Sequence, residues 1–215
     1  MHEISSLMTP LEKDALQEIM NISFGQAAAG LSEVINLYVT LSVPYIDVLA
    51  HDDVLRYIQA KIPDTREMSM VMQLFSGNFS GSSILVFPHG EGKKLLQMFS
   101  QGVDSARGGH DIDVLERESL IEISNIIIGA CISKIAEMLG DVVSYYPPRF
   151  YAREQINDTL RETFAAEDSC AIFFKTLFQF EEFDARGYLF LVSNGTALEW
   201  LKKAIWEYLR KYAGA

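Results

Sequence analysis

Two short polar motifs in this chain have the same spacing and lie far apart. Glu18-Ile-Met-Asn21 returns 104 residues later as Glu122-Ile-Ser-Asn125. A carboxylate can bind a cationic group, and a neutral amide offers both a hydrogen-bond donor and an acceptor. Because neither side chain gains by burial without a partner, a repeated Glu and Asn indicates a functional surface rather than a packing pattern.

Three further pairs of residues match at the same offset of 104. They are an acid four residues before each Glu, a glycine four residues after each Asn, and a proline farther along: Asp14 and Glu118, Gly25 and Gly129, Pro44 and Pro148. A helix turns by roughly 100° per residue, so the acid, Glu, Asn and Gly of each set fall on one helix face. We call these sets the first stripe (Asp14, Glu18, Asn21, Gly25) and the second stripe (Glu118, Glu122, Asn125, Gly129).

A polar helix face of this kind can also be explained without any function. It can be the ordinary solvated face of an amphipathic helix, or its glycines can be placed for close helix packing. Asn and Gly both lower helix propensity, Gly by up to about 1 kcal/mol, so a solvated face has no reason to use them twice at matched positions. We therefore interpret both stripes as surfaces that dock the active site of another protein.

The residues around the first stripe predict a long helix followed by three strands. Thr9-Pro10-Leu11-Glu12 is a capping box with proline at the first helical position, and the apolar spacing continues the helix to about Asn36. The next segments predict a strand over 38–48, a short helix from Asp53 to Pro63, strands over 68–75 and 82–87, and a helix over 91–100.

The same order of elements returns after a segment of linker composition at 104–112. We expect a helix over 114–139, a strand over 142–151, a short helix around Asp158, strands over 171–178 and 187–192, and a helix over 196–212. The sequence thus predicts an α/β (α+β) fold made by internal duplication, with repeats at about 9–103 and 113–212 in a single domain over 1–215. Because a three-stranded half would leave an open edge and a thin core, we expect the two helix-strand-strand-strand-helix units to share one six-stranded sheet. The sheet would have pseudo-two-fold symmetry, with the long helices packed on it.

Composition limits the classes of function. The chain has 215 residues, of which 49% are hydrophobic and 22% charged, as is typical of a globular protein. The N-terminus has no features of a secretory signal, and no apolar run approaches the roughly 20 residues of a membrane span, so we expect a cytoplasmic protein. A net charge of −11 argues against nucleic acid and anionic membranes as partners and favours a partner with exposed Lys or Arg.

The cysteines and histidines do not indicate a metal site. Cys131 and Cys170 lie in apolar stretches without ligand spacing and are expected to be reduced core residues. The four histidines show no ligand spacing either. We therefore predict no metal bound by this chain.

The pattern of Asp14, Glu18, Asn21 and Pro44 resembles the signature of the bacterial chemotaxis phosphatase family, which includes CheC, CheX and FliY. That signature is Asp or Ser, three residues, Glu, two residues, Asn and a distant proline. The context Leu11-Glu-Lys-Asp-Ala-Leu-Gln-Glu-Ile-Met-Asn-Ile22 is most similar to CheC, as is Asn125-Ile-Ile-Ile-Gly-Ala-Cys131. The resemblance covers essentially the whole chain, including both copies of the motif.

The resemblance implies hydrolysis of the aspartyl phosphate on a CheY-like response regulator. Asn21 and Asn125 would position the attacking water, and Glu18 and Glu122 would pair with the regulator's active-site lysine. The residues expected to support docking or local geometry are Asp14, Gly25, Glu118, Gly129, Pro44 and Pro148. Mg²⁺ would be bound by the regulator, so no cofactor is expected on this chain.

Three departures from the family pattern are visible. Glu118 stands where the pattern has Asp or Ser, the second proline is one of the pair Pro147-Pro148, and Phe24 stands where a smaller residue is usual. The alternative function is a non-catalytic adaptor that binds a response regulator or CheD, a receptor deamidase that partners CheC-like proteins. A third possibility is an interaction protein with an ordinary acidic helix face. We expect a monomer, because the duplication already supplies a two-fold pairing.

Overall fold

The structure, a computed structural model, describes residues 7–61, 68–88, 90–92, 94–95, 112–164 and 171–212. The helices with described bounds are α1 (Pro10–Ile35), α2 (His51–Lys61), α3 (Ile112–Leu139), α4 (Arg153–Thr163) and α5 (Gly195–Tyr212). The described strands are β1 (Val39–Leu41), β2 (Tyr45–Leu49), β3 (Ser69–Ser76), β4 (Gly81–Phe87), β5 (Ser144–Tyr145), β6 (Arg149–Tyr151), β7 (Ala171–Phe180) and β8 (Ala185–Asn194). A short 3-10 helix, Glu181–Phe183, connects β7 to β8. The fold class is α+β, as predicted.

In the described part of the chain the sheet has eight strands where six were predicted, because each predicted first strand is divided near a proline. Pro44 lies between β1 and β2, and Pro147-Pro148 lies between β5 and β6. Proline has no backbone N–H to donate to a ladder, so a strand tends to break or bulge where it occurs. The two pieces nevertheless stay on one neighbour, since β1 and β2 both pair with β7 and β5 and β6 both pair with β3.

Every strand pair in the sheet is antiparallel. The order is β1 and β2, then β7, β8, β4 and β3, then β5 and β6. The first strand of each half therefore pairs with the other half of the chain, and β4 and β8 meet at the centre. This order is the one that a duplicated unit with pseudo-two-fold symmetry would give. The duplication itself and the division into repeats stay predictions.

Side chains alternate along the strands and fill one core on each face of the sheet. On β7, Phe174 and Phe178 belong to a core shared with the long helices α1, α3 and α5, whereas Phe173 belongs to the core beneath α2 and α4. The same alternation holds on β3 and on β4. The expected packing of long helices on a shared sheet is therefore confirmed.

Helix α3 is long and apolar enough to cross a membrane by length and composition. Within Val114–Leu139, a window of 18 residues has a mean hydropathy of 1.5, and 56% of that window is buried inside the protein. The helix itself was predicted, but uninterrupted apolar runs do not reveal its apolar composition, because the polar side chains of the second stripe separate its apolar residues. Ile123, Ile127 and Ile132 of α3 are fully buried in the core beside α1. Core packing thus accounts for the apolar composition of this helix.

Some predictions fall on residues outside the described ranges. They concern the linker at 104–112 apart from its last residue, Ile112, which begins α3, and also the end of the short helix at Pro63, most of the helix over 91–100, and Cys170. Residues 91–92 and 94–95 are described and helical. Cys131 is fully buried in the core, and burial raises the pKa of its thiol to about 12, as expected of a reduced core cysteine.

The predicted capping box at the start of α1 is present. The side-chain oxygen of Thr9 accepts from the backbone N–H of Glu12 (3.2 Å), while Glu12 Oε2 accepts from the backbone N–H of Thr9 (2.7 Å). Glu12 Oε1 also accepts from Trp206 Nε1 on α5 (3.1 Å). Burial acts to raise the pKa of Glu12, but the hydrogen bonds from Thr9 and Trp206 outweigh it and hold this pKa below its ordinary value.

We expect Glu12→Gln to lower the free energy of unfolding by about 1 kcal/mol at neutral pH. An amide has one acceptor oxygen, so it cannot replace both Glu12 oxygens, of which one accepts from the Thr9 N–H and the other from Trp206 Nε1. The folded-state pKa is lowered, so the carboxylate contributes stability above its unfolded pKa and loses it as the pH falls through the folded pKa. Denaturant unfolding at pH 7 and below pH 4 measures this. A stability difference that stays constant with pH would contradict it.

Candidate functional site

The first stripe lies on the outer face of α1. Asp14, Glu18 and Gly25 are exposed, and Asn21 is half-buried. The residues on the other side of the helix are buried in the core and include Leu16, Ile19, Met20, Phe24 and Ala27. Phe24, which stands where the family usually has a smaller residue, therefore packs into the core and does not occupy the stripe. The spacing places the polar residues on one face as predicted.

The second stripe lies in the same way on α3. Glu118, Glu122 and Asn125 are exposed, and Gly129 is half-buried. Glu118, where the family pattern has Asp or Ser, points away from the core. The two helices pack together, and Ser23 Oγ of α1 donates to the carbonyl oxygen of Lys134 on α3 (3.4 Å). A single helical layer therefore carries both stripes.

The stripe carboxylates are not neutralised from within the described part of the chain. Among the described residues, Asp14, Glu18, Glu118 and Glu122 have no lysine or arginine within ion-pair distance. The charge of Glu18 acts on Tyr208 of α5. Burial raises the pKa of Tyr208, and the charges of Tyr212 and Glu18 raise it further. Exposed carboxylates without a cationic partner are suited to binding a cation supplied by another molecule.

The amide of Asn125 is tied to the sheet beneath it. Its Oδ1 accepts a hydrogen bond of 3.0 Å from Gln73 Nε2, and the same nitrogen donates to the carbonyl oxygen of Tyr146 (2.9 Å). Gln73 lies on β3 and is only 2% exposed. The Asn125 oxygen thus faces inward, and its Nδ2 is left as the outward group.

The amide oxygen of Asn21 also faces inward, but no described residue forms a hydrogen bond with it. Asn21 Oδ1 is buried and has no hydrogen-bond partner among the described residues. The nearby loop between β1 and β2 is held instead by Thr176 of β7, whose Oγ1 donates to the carbonyl oxygen of Ser42 (2.6 Å). The two asparagines therefore present the same group outward but differ in what holds them.

The two prolines also differ in their surroundings. Pro44 is buried, and its carbonyl oxygen accepts from Gln17 Nε2 of α1 (2.8 Å), next to Glu18 in sequence. This bond ties the loop of the first strand pair to the helix that carries the first stripe. Pro148 is half-buried, and the residue that corresponds to Gln17 at the offset of 104 is Ile121, which cannot form such a bond. Pro44 therefore supports its stripe more directly than Pro148 does.

The stripe glycines face open space. A Cβ added at Gly25 or at Gly129 would meet no other atom within 4 Å. The alternative that these glycines allow close helix packing is therefore wrong for the described residues. Their lack of a side chain leaves room on the outer surface, which suits the approach of another protein.

Sequence reasoning missed two residues that shape the site, Gln73 and Gln17. Gln73 sits in the run Ser69–Ser76, where alternation predicts an inward position, and a glutamine at an inward position was the available signal. Gln17 had no signal, because a polar residue beside an exposed Glu is ordinary. Within the described ranges, no group of three or more His, Cys, Asp or Glu is placed to hold a metal ion.

Comparison with known proteins finds similarity to a family model, to curated proteins and to solved structures. The CheC-like family model matches residues 11–46, which include the whole first stripe and Pro44. The chain is 24% identical over 144 residues to the flagellar motor switch phosphatase FliY of Bacillus subtilis, covering 66% of this chain and 36% of that protein. It is 20% identical over 128 residues to the CheY-P phosphatase CheC of the same organism, covering 59% of each protein. The matches thus span about a third and three fifths of these two relatives.

A solved structure shares the fold. The crystal structure of Thermotoga maritima FliY superposes with a TM-score of 0.62 at 19% identity, covering 95% of this chain and 98% of that one. The fold is therefore the one that FliY has. Together with the family model and the two sequence relatives, it confirms the resemblance to the CheC, CheX and FliY family of chemotaxis proteins.

We predict that Gly25→Ala and Gly129→Ala each raise the free energy of unfolding by up to about 1 kcal/mol, because alanine is the better helix former and its Cβ meets open space. Gly30→Ala is the matched control, since Gly30 lies on α1 outside the stripe and also faces open space. Chemical denaturation of the three variants measures the effect. A loss of stability at Gly25 that Gly30 does not show would mean that the stripe packs inside the protein.

Proposed function

We propose that this protein is a phosphatase that hydrolyses the aspartyl phosphate of a CheY-like response regulator. The observation that carries the proposal is the pair of stripes, each with an exposed carboxylate, without a lysine or arginine partner among the described residues, one turn from an amide whose oxygen faces inward. The names of the two curated relatives, a motor switch phosphatase and a CheY-P phosphatase, support the same reaction. Because α1 and α3 lie in one helical layer and carry their stripes on its outer face, either stripe could face a regulator.

The substrate would bring most of the electrostatic catalysis. A response regulator carries its acyl phosphate beside a bound Mg²⁺ and a lysine, which already neutralise the phosphoryl oxygens. The contribution left for this chain is a correctly placed water. A neutral amide can hold that water without repelling the phosphoryl group, as a glutamine does in GTPases.

The outward Nδ2 of Asn21 or Asn125 would donate a hydrogen bond to the oxygen of the attacking water. A second lone pair of the water then attacks phosphorus, and the bond between phosphorus and the aspartyl oxygen breaks. The products are the free aspartate of the regulator and inorganic phosphate, and the protons of the water go to the phosphate and to solvent. Holding the water in line with the breaking bond is the source of the rate increase.

Glu18 or Glu122 would hold the regulator in register by pairing with its active-site lysine. Both carboxylates are exposed and lack an internal cation among the described residues, so a docked ammonium has no competitor from this chain. The pair becomes shielded from solvent once the proteins meet, which strengthens it relative to an exposed ion pair. Asp14 and Glu118 lie one turn before and would adjust docking, while Gly25 and Gly129 leave room for the partner.

The test is the decay of a phosphorylated CheY-like regulator from the organism that encodes this chain, followed with Mg²⁺ after the phosphodonor is removed. We expect the wild-type protein to accelerate decay. Asn21→Ala and Asn125→Ala should each reduce turnover at their own stripe by roughly a hundredfold, the order lost when one hydrogen-bond donor to a transition state is removed. The double variant should leave only the regulator's own decay rate.

Asn→Asp at the same positions is the matched control, since it keeps shape and the inward oxygen but replaces the outward donor by a charged oxygen. We expect these variants to be as inactive as the alanine variants. The runner-up function is a non-catalytic adaptor for a response regulator or CheD, because unpaired carboxylates would also hold a regulator without turnover. Binding of the regulator with an unchanged decay rate would favour that adaptor and overturn the phosphatase.

A further inference from the structure

We propose that Gln73 is a positioning residue that makes the two stripes unequal. It fixes the amide of Asn125 in the orientation that holds water, so the second stripe is the faster site. Among the described residues, none forms a corresponding hydrogen bond with Asn21 Oδ1. This inference rests on the proposed phosphatase function and adds which site turns over faster and why.

Gln73 reaches Asn125 from the middle of the sheet. It lies on β3 between Val71 and Phe75, which belong to the core shared with α1 and α3, so its side chain points into the helical layer. On β4 its backbone partner is Ser83, whose Oγ donates to the Gln73 carbonyl oxygen (2.5 Å). The backbone of Gln73 is therefore held by the neighbouring strand, and its side-chain amide is the part that reaches Asn125.

The donors and acceptors around Gln73 and Asn125 determine the orientation of both side-chain amides. The carbonyl oxygen of Tyr146 can only accept, so the group of Gln73 that faces it must be Nε2. The second hydrogen of that nitrogen then needs another acceptor, which is Oδ1 of Asn125 at 3.0 Å. Asn125 cannot rotate its amide by half a turn without placing its own NH₂ against that of Gln73. Its Nδ2 is therefore held outward before any substrate arrives.

The residue that corresponds to Gln73 in the other half of the sheet is Thr176, which has a shorter side chain. The correspondence follows from their partners, since Ser42, bonded by Thr176, lies 104 residues before Tyr146, bonded by Gln73. Thr176 lies on β7 between Phe174 and Phe178, which belong to the same core, so it also points toward the helical layer. Its hydroxyl donates to the carbonyl oxygen of Ser42, as Gln73 donates to that of Tyr146. A threonine side chain ends there and makes no bond to Asn21, whose Oδ1 has no partner among the described residues. The loop is held in both halves, but the asparagine is held only in the second.

Gln73 is costly for the fold, which argues against a purely structural role. Its Oε1 is buried without a partner among the described residues. A buried acceptor without a hydrogen bond destabilises the fold, whereas Thr176 holds the corresponding loop with its hydroxyl bonded to the Ser42 carbonyl oxygen. The part of the glutamine that threonine cannot replace is the bond to Asn125.

The experiment measures single-stripe turnover. Asn21→Ala leaves only the second stripe, and Asn125→Ala leaves only the first. Gln73→Thr copies the arrangement beneath Asn21, since its hydroxyl can hold the Tyr146 carbonyl but cannot reach Asn125. We expect it to lower kcat about tenfold in the Asn21→Ala background, with KM for the phosphorylated regulator unchanged, and to leave both constants within twofold in the Asn125→Ala background. Without Gln73→Thr, the Asn21→Ala protein should have the higher kcat.

Gln73→Met is the second variant, because it keeps the side-chain volume if the threonine leaves a destabilising cavity. Thr176→Val is the matched control on β7, and it should leave kcat of the second stripe unchanged.

An equal loss of kcat in both backgrounds would show that Gln73 supports only the fold and would overturn the inference, as would no loss in either. If wild-type protein fails to accelerate decay, the proposed function itself falls, and this outcome is distinct from the others.

Discussion

The outward position of both stripes depends on the burial of one face of two long helices, α1 and α3, against one face of a continuous sheet. Burying Ile19, Phe24, Ile123 and Ile127 fixes the rotation of α1 and α3, because turning either helix would expose this apolar surface to water. The opposite faces are thereby directed outward. The positions of the stripe residues follow from this constraint, and the stripe side chains do not contribute to it among the described residues.

The same constraint explains why glycine and asparagine can occur twice in long helices. Core packing supplies the stability that their low propensity removes, so these helices do not depend on propensity alone. Exposed residues without internal partners are then available for contacts with another molecule. What separates the two stripes is the sheet layer beneath them, where Gln73 reaches its asparagine and Thr176 does not. Glu118 departs from the family pattern in the stripe whose asparagine is better held.

The sequence predicted the elements well and the contacts between them poorly. The capping box at Thr9 and the helical spacing predicted α1 to within a residue, because these signals are local. The division of each first strand at Pro44 and Pro148 was missed, although proline gave a signal for it. The bond between Gln73 and Asn125 joins residues 52 apart in the chain, and no local pattern encodes such a pairing. A buried polar residue in a strand is a sign of such contacts, but it does not name the partner.

The most direct test of the account is a crystal structure of this protein bound to a CheY-like regulator carrying Mg²⁺ and beryllofluoride, which mimics the acyl phosphate. The account predicts that Glu18 or Glu122 forms an ion pair with a lysine of the regulator. It also predicts that Nδ2 of the neighbouring Asn21 or Asn125 lies within about 3–5 Å of the beryllofluoride, directly or through one water. A regulator bound through any other surface, with both stripes exposed to solvent, would contradict it.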